Sequence, residues 1–159
     1  ILGTAGFTAA LALLRMSENR QQPALGPLAV TGATGGVGSL AIAIFRKAGF
    51  EVHAVSGKPE QADYLRALGA SQVLDRDALS HELHATVMPF IIRGVSLLGV
   101  ASAGTAREIR DEVWRRLAAD WKPDHLEAIC TREVDLHELP GVFAGMLAGA
   151  SLGRTVVRL

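Results

Sequence analysis

The chain has 159 residues, about one domain's worth, and 49% of them are hydrophobic, enough to bury a core. Sixteen basic and sixteen acidic residues cancel, so charge offers no argument for a nucleic-acid or anionic-membrane partner. The single Cys130 excludes an intrachain disulfide framework and fits a reducing, cytoplasmic setting, and no apolar run reaches the roughly 20 residues of a membrane span.

In chain order, the start "ILGTAGFTAALALL" is apolar but has no basic n-region and no Met, so it reads as an internal segment rather than a signal peptide. Helical composition and spacing predict a helix over Thr8 to Asn19, with Thr4 or Thr8 as its cap. Pro23 and Gly26 mark a loop. Leu28 to Thr31 reads as a buried strand and Ser39 to Ala48 as a helix closed by Gly49. Glu51 to Val55 is a second strand, Glu60 to Leu68 a helix ending at Gly69, and "SQVLD" a third strand. This alternation is the first half of a doubly wound, Rossmann-type α/β fold with a parallel sheet.

Farther on, "VSLLGVAS", Val95 to Ser102, is expected to be a strand. Ile109, Val113, Leu117 and Trp121 recur every four residues, which predicts an amphipathic helix capped by Thr105 and ended by Pro123. Trp114 and Trp121 read as packing residues. "LEAIC" is an expected strand, a helix starts near Leu139, and "RTVVRL" is a last strand. Cys130 reads as a small buried residue. His81 and His84 stand three apart, which is not the H-E-x-x-H spacing of zinc enzymes, so no metal site is expected.

The informative segment is "TGATGGVG", with Gly32, Gly35, Gly36 and Gly38 between a strand and a helix. Glycines there let backbone approach a diphosphate, whose charge the helix N-terminus stabilises. A tight structural turn would also use glycine, but the strand–turn–helix–strand order favours dinucleotide binding. Two patterns fit: the T-G-x3-G-x-G of short-chain dehydrogenases and the G-A-x-G-G-V-G of the medium-chain superfamily. Short-chain enzymes need a Tyr-x-x-x-Lys pair, whereas four residues after the single tyrosine, Tyr64, stands Leu68.

The turn, together with "ILGTAGFTAALAL", "VMPFIIRGVSLLGVAS" and "LGRTVVRL", resembles the zinc-independent medium-chain dehydrogenase/reductases. The similarity is to the quinone oxidoreductase-like branch that includes acryloyl-CoA reductase. It runs over nearly the whole chain. It implies NADPH-dependent reduction of an activated carbon–carbon double bond in an enoyl thioester or a quinone. By the same resemblance, Thr34, Gly35, Gly36 and Val37 form the diphosphate turn. Where NAD sites carry an acid after the second strand, this sequence has Ser56 and Lys58, which suit the 2′-phosphate of NADP; a solvated loop lysine is the plainer alternative. Arg76 matches another cofactor-binding arginine, or else a surface arginine between Asp75 and Asp77. Ile91 and Ser102 match positions lining the nicotinamide, and Arg154 matches a C-terminal arginine near the cofactor.

The resemblance also implies what is not in the sequence. Relatives carry an N-terminal GroES-like barrel domain that walls the substrate cleft, and the catalytic residues are expected there. Between Ser80 and His81 a strand–helix–strand stretch of about 40 residues, the size of such a unit, is expected but absent. The edge strand 95–100 is expected to join two copies in a homodimer. The runner-up reading is a catalytically inactive NADP-binding or redox-sensing module.

Overall fold

The computed structural model describes residues 1–76 and 98–159. Helix α1 covers Gly3–Glu18. It starts well before the expected Thr8, because the Gly/Thr/Ala stretch propagates a helix once its apolar face is packed. Neither threonine caps it: Leu2 is the N-cap residue, and the Thr8 hydroxyl donates instead to the Thr4 carbonyl within the helix.

Strand β1 (Leu28–Thr31), helix α2 (Gly36–Lys47), strand β2 (Val52–Ser56), helix α3 (Ala62–Ala67) and strand β3 (Gln72–Asp75) follow. The strands form one parallel sheet in the order β1-β2-β3, with Val30 opposite Ala54 and Ala54 opposite Val73. Parallel neighbours need crossover helices, and α2 and α3 supply them. Gly49, at φ +91, closes α2 as its sequence predicts, its N–H bonded to the Arg46 carbonyl.

Leu40 through Phe45 are all buried, since α2 lies between the sheet and α1. Phe7, Leu11 and Leu14 of α1 complete that core. Helix α4 (Arg107–Leu117) adds Val113 and Leu117, with Trp121 just beyond it, along the face the four-residue spacing picks out. Thr105 does not cap α4; its hydroxyl donates to the Ala101 carbonyl. Trp114 is exposed and stacks on Phe7 with ring centroids 5.9 Å apart, while the Arg110 guanidinium lies over the Phe7 ring, 4.7 Å from its centroid.

Strands β4 (Cys130–Asp135) and β5 (Arg154–Arg158), joined through helix α5 (Leu139–Leu147), form a separate two-stranded parallel sheet. "LEAI" is a 3-10 turn rather than strand, so β4 begins where "LEAIC" ends, and Cys130 is half-buried.

Two further differences bear on the architecture. β1 is not a buried strand: Ala29 and Thr31 are exposed and only Val30 is buried. In the 3-2-1-4-5-6 order of a doubly wound fold, strand 1 is covered by strand 4. Among the described residues nothing pairs with that edge of β1. The described end of the expected strand at Val95–Ser102 is also not strand: residues 98–102 have no ladder, and Leu98 and Val100 are part-exposed. Ile91, His81, His84 and the Ser80–His81 join lie outside the described residues.

Candidate functional site

The glycine turn connects β1 to α2, and its hydrogen bonds divide cleanly. Its carbonyls are engaged by the protein: Gly32 accepts from Gly35 N–H, Thr34 from Gly153 N–H and Gly35 from Ser39 N–H, each at about 3 Å. The Ala33 carbonyl accepts from the buried Ser39 hydroxyl at 3.2 Å. By contrast, the N–H groups of Gly36, Val37 and Gly38 have no partner among the described residues. They are the free donors of a helix start. Gly38 permits the turn, because a Cβ there would collide with the Gly32 carbonyl and the Ala33 backbone.

Arg154, at the start of β5, reaches this turn. Its Cδ and one guanidinium nitrogen lie 3.2 Å from where a Cβ on Gly36 would stand, and the other nitrogen lies 3.4 Å from the same point on Gly3. The guanidinium is therefore placed between the N-termini of α1 and α2. Neither helix has an acidic residue in its first turn. Arg154 makes no hydrogen bond or ion pair among the described residues. Two helix N-termini and a guanidinium without a carboxylate form a place that favours a bound anion.

A second group gathers at the end of β2. Ser56 is buried, and its hydroxyl accepts from the Lys58 N–H at 3.1 Å. Lys58 Nζ donates to the Gly149 carbonyl at 2.6 Å and to the Ser151 carbonyl at 3.3 Å. It is thus tied to the loop before β5 rather than loose in solvent, with one of its three ammonium protons unassigned. Arg76 is exposed, and its guanidinium lies about 3.5 Å from the Cβ position of Gly57. Ser56, Lys58 and Arg76 share one rim. No acid stands at the end of β2, where one would hold ribose hydroxyls.

The structure thus brings together Thr34, Gly35, Gly36, Val37 and Arg154 at one place, and Ser56, Lys58 and Arg76 at the next. Thr34 is buried, while Val37 is exposed at the mouth of the turn. Ser102 is half-buried in the loop before α4, where its carbonyl accepts from Arg110; no hydrogen bond among the described residues joins it to the turn. Sequence reasoning missed Gly153 and Ser39, and it considered Tyr64 only as a proton donor to substrate. The Tyr64 hydroxyl instead donates to the Ser39 hydroxyl at 3.0 Å, and burial raises its pKa above the usual 10.0, the Ser39 contact opposing.

Elsewhere, Asp135, His137 and Glu138 bring ligand atoms within 4.8 Å of one another on the surface. Asp135 and Glu138 there form a reciprocal capping box, which accounts for both carboxylates without a metal. No helix of the described residues is long and apolar enough to cross a membrane.

No family model matches the chain. Individual relatives do. YhfP of Bacillus subtilis, which carries the name of a quinone oxidoreductase, is 39% identical over 204 residues, covering 100% of this chain and 62% of its own length. Acrylyl-CoA reductase AcuI of Ruegeria pomeroyi is 38% identical over 201 residues, covering 98% of this chain and 61% of its own. Among solved structures, Bacillus subtilis YhfP with NAD bound superposes with a TM-score of 0.93 at 38% identity, over 99% of this chain and 61% of that one. Escherichia coli YhdH with bound NADPH gives 0.91 at 34%, over 98% of this chain and 61% of that one. The chain thus spans about three-fifths of the length of these relatives. With this fold, this glycine turn and these identities, it belongs to the medium-chain dehydrogenase/reductase oxidoreductases, in the quinone oxidoreductase-like branch.

Proposed function

We propose that the protein is an NADPH-dependent reductase of activated carbon–carbon double bonds, acting on an enoyl thioester such as acryloyl-CoA or on a quinone. The observation that carries the dinucleotide reading is the anion site itself: free N–H groups at the start of α2, with Arg154 between two helix N-termini that lack acids. It matches a diphosphate in charge and donor type. Bound NADPH would supply a hydride to the carbon β to a carbonyl or thioester, the α carbon taking a proton. The chain's own residues hold the two phosphate ends: Thr34 to Val37 and Arg154 the diphosphate, Ser56, Lys58 and Arg76 the 2′-phosphate. Ile91 and Ser102 are assigned to the nicotinamide side.

The choice of NADPH over NADH rests on that second cluster, because relatives crystallise with either form, YhfP with NAD and YhdH with NADPH. Fluorescence titration of the full-length protein tests it. NADPH should bind at least about tenfold tighter than NADH, roughly 1.4 kcal/mol; equal affinities would remove the 2′-phosphate assignment.

The remaining parts of the reading concern the whole protein. The present residues form the NADP-binding domain, and the substrate wall and catalytic residues belong to an N-terminal barrel domain. A strand–helix–strand stretch belongs between Ser80 and His81. Supporting this, the alignment with YhfP runs over 204 residues against 159 in the chain, a difference of 45, and no strand among the described residues pairs with the free edge of β1. The protein is assigned to the cytoplasm as a homodimer in contact near residues 95–100, where Leu98 and Val100 present apolar surface. A catalytically inactive NADP-binding or redox-sensing module is the competing reading, and turnover separates the two.

A further inference from the structure

We infer that Tyr64 and Gly153 are positioning residues of the diphosphate turn, acting through Ser39 and Arg154; the inference rests on the dinucleotide reading above. A diphosphate is attracted by N–H groups and repelled by carbonyl oxygens, so the turn works only if its carbonyls are held on the protein side. Two of them depend on groups distant in sequence, one directly and one through Ser39. The Ala33 carbonyl accepts from the Ser39 hydroxyl, which is fully buried and in turn accepts from Tyr64 on α3. With its proton committed to Ala33, the Ser39 oxygen needs a donor, and the Tyr64 hydroxyl is that donor.

The Thr34 carbonyl accepts from the Gly153 N–H at 3.0 Å. Gly153 has φ +56, and a Cβ there would stand 2.5 Å from the Ile129 carbonyl and 2.7 Å from the Tyr64 hydroxyl. Only glycine lets β5 begin this close to the turn, and that closeness is what lays the next residue, Arg154, across Gly36. Tyr64 and Gly153 also meet each other. The phenol is thus wedged between Ser39 and the start of β5: it holds the Ala33 carbonyl through Ser39, and it packs against the glycine that bonds the Thr34 carbonyl and precedes Arg154.

The test uses the full-length protein and two fragments of the dinucleotide. ADP-ribose carries the diphosphate and no 2′-phosphate; 2′-AMP carries the 2′-phosphate and no diphosphate. Tyr64→Phe should raise the dissociation constants of ADP-ribose, NADPH and NADH by a common factor of about three to ten, the scale of one lost hydrogen bond. It should leave 2′-AMP within about twofold. Gly153→Ala should show the same pattern more strongly; if it does not fold, Tyr64→Phe alone decides. A general loss of structure would weaken both fragments alike. A wild-type protein that binds neither dinucleotide overturns the proposed function and this inference with it. A wild type that binds them, while Tyr64→Phe leaves ADP-ribose unchanged or weakens 2′-AMP equally, overturns this inference alone.

Discussion

Lys58 and Arg76 stand on the same rim but are held differently, which makes their substitutions informative as a pair. Lys58 is bonded to two carbonyls of the loop before β5, so Lys58→Ala removes a charge and also loosens the approach of Arg154 to the turn. NADPH affinity should fall at least about tenfold and NADH affinity by a smaller factor. Arg76 is exposed against Gly57 and has no hydrogen bond to another segment among the described residues. Arg76→Ala should therefore weaken NADPH about three- to tenfold and leave NADH within about twofold. Equal effects on both cofactors would place the 2′-phosphate elsewhere.

Tyr64 allows a pH test at the same scale. Its folded pKa is raised above 10.0, chiefly by burial. The stability tied to the neutral phenol is fully present below pH 10 and is lost as pH rises through the folded pKa. A difference titration at the phenolate absorbance, between the protein and Tyr64→Phe, should show an ionisation above 10; one at or below 10 would mean the hydroxyl is in water. The glycine turn and Lys58 could be read from one strand–turn–helix–strand segment, and Arg76 and Arg154 only from the resemblance to the family. Gly153 and Ser39 could not, because their roles come from contacts between residues more than a hundred apart in one case and from a buried hydroxyl network in the other.

At the scale of elements, periodicity predicted most of the chain because packing follows it. Of the residues spaced by four, Ile109, Val113 and Leu117 become the packed side of α4 and Trp121 joins the core just beyond it. Leu117→Ala should cost about 2–5 kcal/mol, the range for truncating a fully buried leucine, read by denaturant unfolding; a cost under about 1 kcal/mol would mean α4 is not docked. Starts of helices were less legible. Thr4, Thr8 and Thr105 have the composition of caps, yet the hydroxyls of Thr8 and Thr105 bond carbonyls four residues back, a local alternative that sequence does not distinguish. The burial expected of β1 fails for another reason. Four apolar-to-small residues before a glycine turn describe a central strand, but whether a strand is central depends on a neighbour far along the chain.

For the whole molecule, the edge of β1 that pairs with no strand among the described residues is the main irregularity. Left without a neighbour, a parallel edge with exposed Ala29 and Thr31 would be a pairing hazard, which a strand supplied between Ser80 and His81 would remove. Trypsin cleaving after Arg76 and Arg93 would release a peptide from Asp77 to Arg93 if Ser80 and His81 are bonded. Peptide mapping of the natural protein should not find that peptide; finding it would make the join real. Light scattering should give a dimer, and a monomer at micromolar concentration would contradict the contact at residues 95–100.

The most direct test of the central claim follows NADPH absorbance with full-length protein and, in turn, acryloyl-CoA and a benzoquinone. The predicted result is enzyme-dependent NADPH oxidation with one or both acceptors, at a rate that falls when Lys58 or Arg154 is replaced by alanine. Tight NADPH binding without turnover on either acceptor would contradict the reductase and leave a dinucleotide-binding module in its place.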